Sequence, residues 1–156
     1  MSSERYLEFD LGNEQFAIPL ILVKEVISLP SMTPIPRAPD YFSGVMNLRG
    51  MIITVLDLRK KMSITPKEDQ TESAVIIINH EEIQLGVIVD EANRVLAVEK
   101  SNIVDAVESS SSKHSKFVQG IIKQDEGQLT VLLDIMGLLD LNDLLLLKND
   151  SEEASA

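Results

Sequence analysis

The chain has 156 residues, 44% of them apolar, no cysteine, and a formal charge of −11 from 25 acidic and 14 basic side chains. That surplus of negative charge repels phosphate backbones and anionic lipid, and the lack of thiols removes disulfides, thiolate nucleophiles and thiolate metal sites. No basic start leads into an apolar run, and no apolar stretch approaches the roughly 20 residues of a bilayer span, so a cytoplasmic domain of one or two lobes is expected.

With only four Phe, two Tyr and no Trp, Val, Ile and Leu must fill the core, which favours β structure. Leu7, Phe9 and Leu11 alternate with Glu8 and Asp10, and Phe16, Ile18 and Leu20 resume the alternation after Gly12-Asn13-Glu14-Gln15. This pattern predicts a hairpin of half-buried strands. The period then changes: Leu22, Val23, Val26 and Ile27 fall at helical spacing, and Leu29-Pro30 stops the helix they predict. Four of the six prolines lie between residues 30 and 39, predicting a stiff extended connection without ladder bonding.

Residues 44–58 are the most informative stretch. Beyond Arg49 and Gly50, Ile52, Leu56 and Leu58 lie on one face, and Met51, Ile53 and Val55 on the other. A strand apolar on both faces has protein on both sides. Gly50 marks a kink, as a bulge or tight turn, and Asp57 is placed to cap a helical turn over residues 59–62. A polar loop at 63–73 precedes a hairpin of residues 74–78 and 83–89, then a short strand at 95–98. A flexible connection at 109–116, a hairpin of 117–123 with 129–133, and a short helix from 135 to about 141 follow. Residues 144–147 are expected to pack back on the body, leaving 148–156 disordered. The natural-looking Met1 and the acidic end fit a complete single-domain protein.

An internal repeat aligns Gly44-Val45-Met46, Gly50 and Val55-Leu56-Asp57-Leu58 with Gly120-Ile121-Ile122, Gly127 and Leu132-Leu133-Asp134-Ile135. Two copies of a strand–turn–strand–Asp unit suggest a pseudo-symmetric pair of small barrels. The alternative is that any two glycine-bounded hairpins look alike. The repeat also pairs Asp57 with Asp134, but no Ser/Thr-Gly follows to orient a catalytic dyad, so helix capping is their expected role. His80 and His114 lie in polar loops without ligands at metal-binding spacing. No Gly-x-Ser-x-Gly elbow or glycine-rich phosphate loop is present. A binding module without catalytic residues, metal or cofactor is therefore expected rather than a carboxylate enzyme.

Glu25 and Arg49 stand out as a pair. They are expected to meet near the junction of the lobes and hold the helix on the sheet, the alternative being two solvated surface charges. Val23, Val26 and Ile27 form a stripe that ordinary core packing would explain. Part of it would instead line an open groove able to accept an amphipathic helix.

From about residue 6 to 147 the landmarks resemble the CheW family of chemotaxis adaptors. They are Phe9-x-Leu11-Gly12, Val23-x-Glu25-Val26, Ile35-Pro36-x-Ala38-Pro39, Gly44-Val45-Met46-Asn47-Leu48-Arg49-Gly50, Val55-Leu56-Asp57-Leu58, Gly86-x-x-Val89-Asp90 with Val95-Leu96, and Gly120-Ile121 with Leu133-Asp134-Ile135. The resemblance implies a mainly β fold, two small Src-homology-type β-barrels packed on a shared core with short helices, forming one domain over 6–147. It further implies a non-catalytic adaptor linking chemoreceptor tips, which are helical hairpins, to the histidine kinase CheA. By motif position, Val23, Val26 and Ile27 would line the receptor groove, with Glu25 and Arg49 organising it. The kinase-contacting residues stay unassigned. An array serving motility or development, or an adaptor domain from a protein with a response-regulator domain, keeps the fold and changes the pathway. Thr54 stands where the family often has proline, residues 37–40 vary the linker, and 144–147 are unusually apolar.

Overall fold

The computed structural model describes residues 3–105, 117–140 and 143–145. The expected connection at 109–116, the tail at 148–156 and the second half of the 144–147 run lie outside them. In chain order the elements are β1 (Ser3–Leu11), β2 (Glu14–Pro19), a 3-10 turn (Leu20–Leu22), β3 (Val23–Ser28), β4 (Phe42–Leu48), β5 (Met51–Asp57) and α1 (Leu58–Lys61). There follow β6 (Ala74–His80), β7 (Ile83–Val89), β8 (Glu91–Glu99), β9 (Ile103–Asp105), β10 (Val118–Lys123), β11 (Leu129–Leu133) and α2 (Ile135–Leu138).

Two sheets result, with strand orders β3-β6-β7-β5-β4 and β8-β1-β2-β11-β10-β9. Read in parallel they repeat one plan. An antiparallel hairpin (β6–β7, β1–β2) pairs in parallel with the second strand of another hairpin (β4–β5, β10–β11), and β3 or β8 lies against the first hairpin. The registers agree: Ile77 faces Gly86, which faces Val55, as Glu8 faces Ala17, which faces Leu132. Bulges recur at matching places, between Val23 and Glu25 and between Ala92 and Arg94. The internal repeat is thus a repeat of whole lobes. The first lobe is continuous from β3 to β7, while the second takes its hairpin from the chain's start and its other strands from beyond residue 90. Each expected small barrel is seen as a five- or six-stranded sheet.

Gly44 and Gly120 occupy matching positions because a further segment crosses each lobe there. A side chain at Gly44 would put its Cβ 2.3 Å from the Thr33 carbonyl oxygen, and one at Gly120 would put it 2.7 Å from that of Val104. In the second lobe the crossing segment is β9. In the first it is Thr33, which exchanges two backbone hydrogen bonds with Val45, at 2.9 and 2.8 Å. The proline-rich connection therefore does carry one rung of ladder. Thr33 lies ahead of Pro34 and keeps the amide that a proline lacks.

The faces of β5, β6, β7, β1 and β2 that meet form one shared core, including Phe9, Leu11, Phe16, Ile18, Leu56, Ile76, Ile78, Leu85 and Val87. Each lobe has its own smaller cluster behind it: Met46, Ile53, Val55, Val75 and Ile77 in the first, Tyr6, Ala17, Ile122 and Leu132 in the second. Burial on both faces of β5 holds from Ile53 onward, whereas Met51 and Ile52 are half-exposed.

Three expectations are corrected. Residues 22–27 are not helical; they form a 3-10 turn and β3. The β-branched Val23, Val26 and Ile27 pair along β6, and such residues favour a pleated surface over a short helix. The strand expected at 95–98 is nine residues long. Glu8 is buried rather than on a wet face, held by the Thr130 hydroxyl (3.2 Å), the Gln124 amide (2.8 Å) and Arg94 (3.5 Å). The hairpins, the loop at 63–73 and the Asp57 and Asp134 caps, which accept from the Arg59 and Gly137 amides, are as expected.

Candidate functional site

The bulge between Val23 and Glu25 decides where the expected site residues point. Val23 lies opposite Ile78 and Val26 opposite Ile76, both of the shared core, while Glu25 and Ile27 lie opposite Ile77 and Val75, which belong to the first lobe's own cluster. Val23 packs against the shared core and Val26 is exposed. The stripe Val23/Val26/Ile27 is therefore split between two faces, because strand periodicity replaces the expected helical one.

Arg49 and Gly50 form the two-residue turn between β4 and β5, both with positive φ (53° and 88°), as a type I′ hairpin requires. Asn47 Oδ1 accepts the Gly50 amide at 2.8 Å. From this turn the Arg49 guanidinium reaches Glu25 Oε2 at 2.8 Å, with side chains 71% and 23% exposed. The expected pair thus exists, and its hydrogen bond holds the Glu25 carboxyl below its usual range. It does not lie at the lobe junction, however. It joins β3 to the β4–β5 turn, spanning the two outer strands of the first sheet. Register forces this placement, since Glu25 sits on the face directed away from the other lobe.

The lobe junction holds a different set of charges. Asp57 accepts from Arg59 at its backbone amide (3.0 Å) and at Nε and Nη2 (2.9 and 3.0 Å). The other guanidinium nitrogen, Nη1, donates to Asp90 Oδ1 at 2.9 Å and to Gln70 Oε1 at 2.5 Å. Asp90 Oδ1 also accepts the Lys67 amide, and its Oδ2 accepts the Gly12 amide at 2.6 Å. The Asp90 amide donates to the Asp10 carbonyl at 3.0 Å, so Asp90 grips the β1–β2 turn of the second lobe by backbone and side chain. Burial alone would raise the Asp90 carboxyl, yet the Gly12 amide, Arg59 and the Lys67 amide together hold it below its usual range. All three side chains are buried. Sequence reasoning assigned Asp57 a cap and quoted Asp90 only as a landmark. Arg59 was missed, although a basic residue two positions after a buried cap was the available signal.

Two grooves open beside the connections between lobes. One, of about 410 Å³, is lined by Val26, Ile27 and Leu29 on one side and by Gln70, Glu72 and Glu91 among the others. The second, of about 510 Å³, is more apolar and is formed by Glu4, Arg5, Pro19, Leu20 and Ile21. Ile21 is 90% exposed, the most exposed large apolar side chain among the described residues. The helical-period reading passed over Ile21 because it matched the spacing of neither face. Among the described residues, no group of three or more His, Asp and Glu could hold a metal ion, and no helix is long and apolar enough to cross a membrane.

The CheW-like domain family model matches residues 5–143. The chain is 34% identical to the chemotaxis protein CheW of Bacillus subtilis over 89% of its length and 88% of that protein's. It is 31% identical to that of Klebsiella aerogenes, over 94% and 87%. It superposes on the scaffolding protein TtCheW of Thermoanaerobacter tengcongensis with a TM-score of 0.81 and 28% identity, covering 91% of this chain and 96% of that one. With two lobes on one plan, a match over nearly the full length and relatives that share it end to end, the chain belongs to the CheW family of non-catalytic chemotaxis scaffold proteins.

Proposed function

We propose that this chain is a cytoplasmic adaptor that couples chemoreceptor tips to a CheA-type histidine kinase, and that the receptor docks along residues 20–29. The observation that carries the docking site is Ile21, almost fully exposed on an apolar groove beside the connection between lobes. Contiguous exposed apolar surface marks an interaction site, and Pro19 and Leu20 adjoin Ile21 in this groove. Val26 and Leu29 are also exposed and line the other groove beside the connections between lobes. Val23 and Ile27 hold the strand from its two faces, one against the shared core and the other against the first lobe's own cluster. The Glu25–Arg49 pair anchors its middle to the β4–β5 turn. A receptor tip is a helical hairpin, and an apolar ridge on a helix suits a groove of this kind. Recruitment to a receptor array follows from that contact; no helix of the chain's own is needed to reach the membrane.

A pull-down with a receptor signalling fragment and with CheA tests the proposal. The parent chain is expected to retain both. Ile21→Asp is expected to lose the receptor and keep the kinase, and Val26→Asp to weaken the receptor less. If Ile21→Asp keeps the receptor, docking lies elsewhere on the surface. If the parent retains neither partner, the coupling role is wrong.

A further inference from the structure

The two connections between the lobes are equivalent by register. Counting from the matched Ala17 and Gly86, Ile21 on the β2–β3 connection takes the place of Asp90 on the β7–β8 connection. Counting from Leu132 and Val55, Met136 takes the place of Arg59. One connection therefore carries a buried charged pair where the other carries two apolar side chains. At the first, Asp90 is fully buried and bonded to both lobes. At the second, Ile21 is open to solvent and Met136 is half-buried.

We propose that Asp57, Arg59 and Asp90 form an ionic latch that sets the angle between the two lobes, and that this angle fixes the width of the groove between Val26 and Leu29 of the first lobe and Glu91 and Ala92 of the second. The bonds divide between the lobes in the way a latch requires. Asp57, Arg59, Lys67 and Gln70 belong to the first lobe, whereas Gly12 and Asp10 belong to the β1–β2 hairpin of the second. Lys67 adds a further strap through its ammonium, which pairs with Asp10 and lies 3.7 Å from Glu91. Greasy packing between two sheets is tolerant of small sliding, but bidentate guanidinium–carboxylate geometry and a short amide–carboxylate bond are directional. The shared core holds the lobes together while the ionic cluster specifies how they are rotated. Its role is positioning: none of Asp57, Arg59 and Asp90 lines that groove.

The repeat supplies the test variant. Arg59→Met with Asp90→Ile transplants the apolar connection into the charged one; replacing a buried ion pair by apolar groups is often tolerated, and Asp57 keeps the backbone amide of residue 59 as its cap bond. Since the chain has no cysteine, spin labels on Lys24→Cys and Ala97→Cys, exposed on β3 and β8, report the distance between lobes. Labels on Lys24→Cys and Asn79→Cys report the first lobe alone. In the double variant, the interlobe distance distribution is expected to shift or to become about twofold wider, with the intralobe one unchanged. Asp90→Asn, which keeps the shape and removes the charge, is expected to do the same to a smaller degree. An interlobe distribution matching the parent's in the folded double variant overturns the latch. Failure of both variants to fold overturns it too, showing the cluster to be required for folding itself. The groove part rests on the docking proposed above: receptor-fragment affinity is expected to fall about tenfold in the double variant. A changed distribution with unchanged affinity would retain the latch and remove its link to docking.

Discussion

The β2–β3 and β7–β8 connections do one topological job with opposite chemistry. Each carries the chain out of a hairpin in one lobe to an outer strand of the other, past matching bulges and matching positive-φ turn residues, Gly12 and Glu81. At β7–β8 the chain meets a guanidinium, two carboxylates and the backbone of the second lobe, and the amide and both carboxylate oxygens of Asp90 are bonded. At β2–β3 it meets apolar side chains and leaves Ile21 in water. The shared backbone plan fixes where the two connections lie. The side chains then make one a fastening and the other a surface. A buried ion cluster is weak as a source of stability, since desolvation offsets most of its attraction. Its directional bonds contribute a defined geometry instead.

Removing one charge and leaving the others should separate the two connections most. Arg59→Met alone strands two buried carboxylates and is expected to cost about 3–5 kcal/mol, read from urea unfolding monitored by circular dichroism. At the equivalent position, Met136→Ala is expected to cost only roughly 1–2 kcal/mol, because its burial is partial and no charge is left behind. Equal losses at the two positions would show that the connections are energetically alike.

Acid titrates the same contrast. The folded Asp90 carboxyl lies below its usual range and the unfolded one lies within it. Its contribution is therefore complete above the ordinary carboxylate range and is lost as pH falls through that range toward the folded value. Unfolding midpoints of the parent are expected to drop between about pH 5 and pH 3, where unpaired carboxyls titrate. Asp90→Asn should be less stable at neutral pH and show a shallower decline. A decline as steep as the parent's would place the acid sensitivity on other carboxyls, such as Glu25.

Ile21→Asp, proposed above as a binding variant, is expected to change stability by no more than about 0.5 kcal/mol, since the side chain touches little. The same change at its lobe-equivalent is already the natural sequence: Asp90. A large loss from Ile21→Asp would mean that the apolar connection is packed in solution rather than open.

How much of this was readable beforehand depended on whether period and turn chemistry agreed locally. Alternation in Leu7/Phe9/Leu11 and the glycine-bounded repeat were strong enough to give the first hairpin, the doubled plan and both capping aspartates. Residues 22–27 misled because a bulge in a β-branched strand puts apolar side chains at i, i+1, i+4 and i+5, which mimics one face of a helix. Glu8 misled because alternation predicts a side and not what lies on it; Thr130 and Gln124 come from more than 110 positions away. The Arg59–Asp90 contact spans 31 residues, and nothing local signals it. The Glu25–Arg49 pairing was legible as a pair, but its place in the fold was not, since a strand rather than a helix sends Glu25 to the outer side.

That pair is also where the smallest effect is expected. Arg49 is largely in water, and an exposed ion pair loses side-chain entropy nearly as fast as it gains attraction. Arg49→Ala should leave the urea midpoint close to the parent's, and Glu25→Ala with Arg49→Ala should differ little from the sum of the single changes. Any coupling should vanish in 1 M salt, where screening acts within about 3 Å. One detail works against a null result: Glu25 Oε1 is buried and finds no hydrogen-bond partner among the described residues, so removing Arg49 takes away the ion-pair partner of that carboxylate. If Arg49→Ala unfolds the chain while Glu25→Ala with Arg49→Ala does not, the arginine serves to compensate Glu25 rather than to meet a partner. A folded Arg49→Ala chain with weakened receptor or kinase coupling would instead place the exposed guanidinium on the working surface beside residues 20–29.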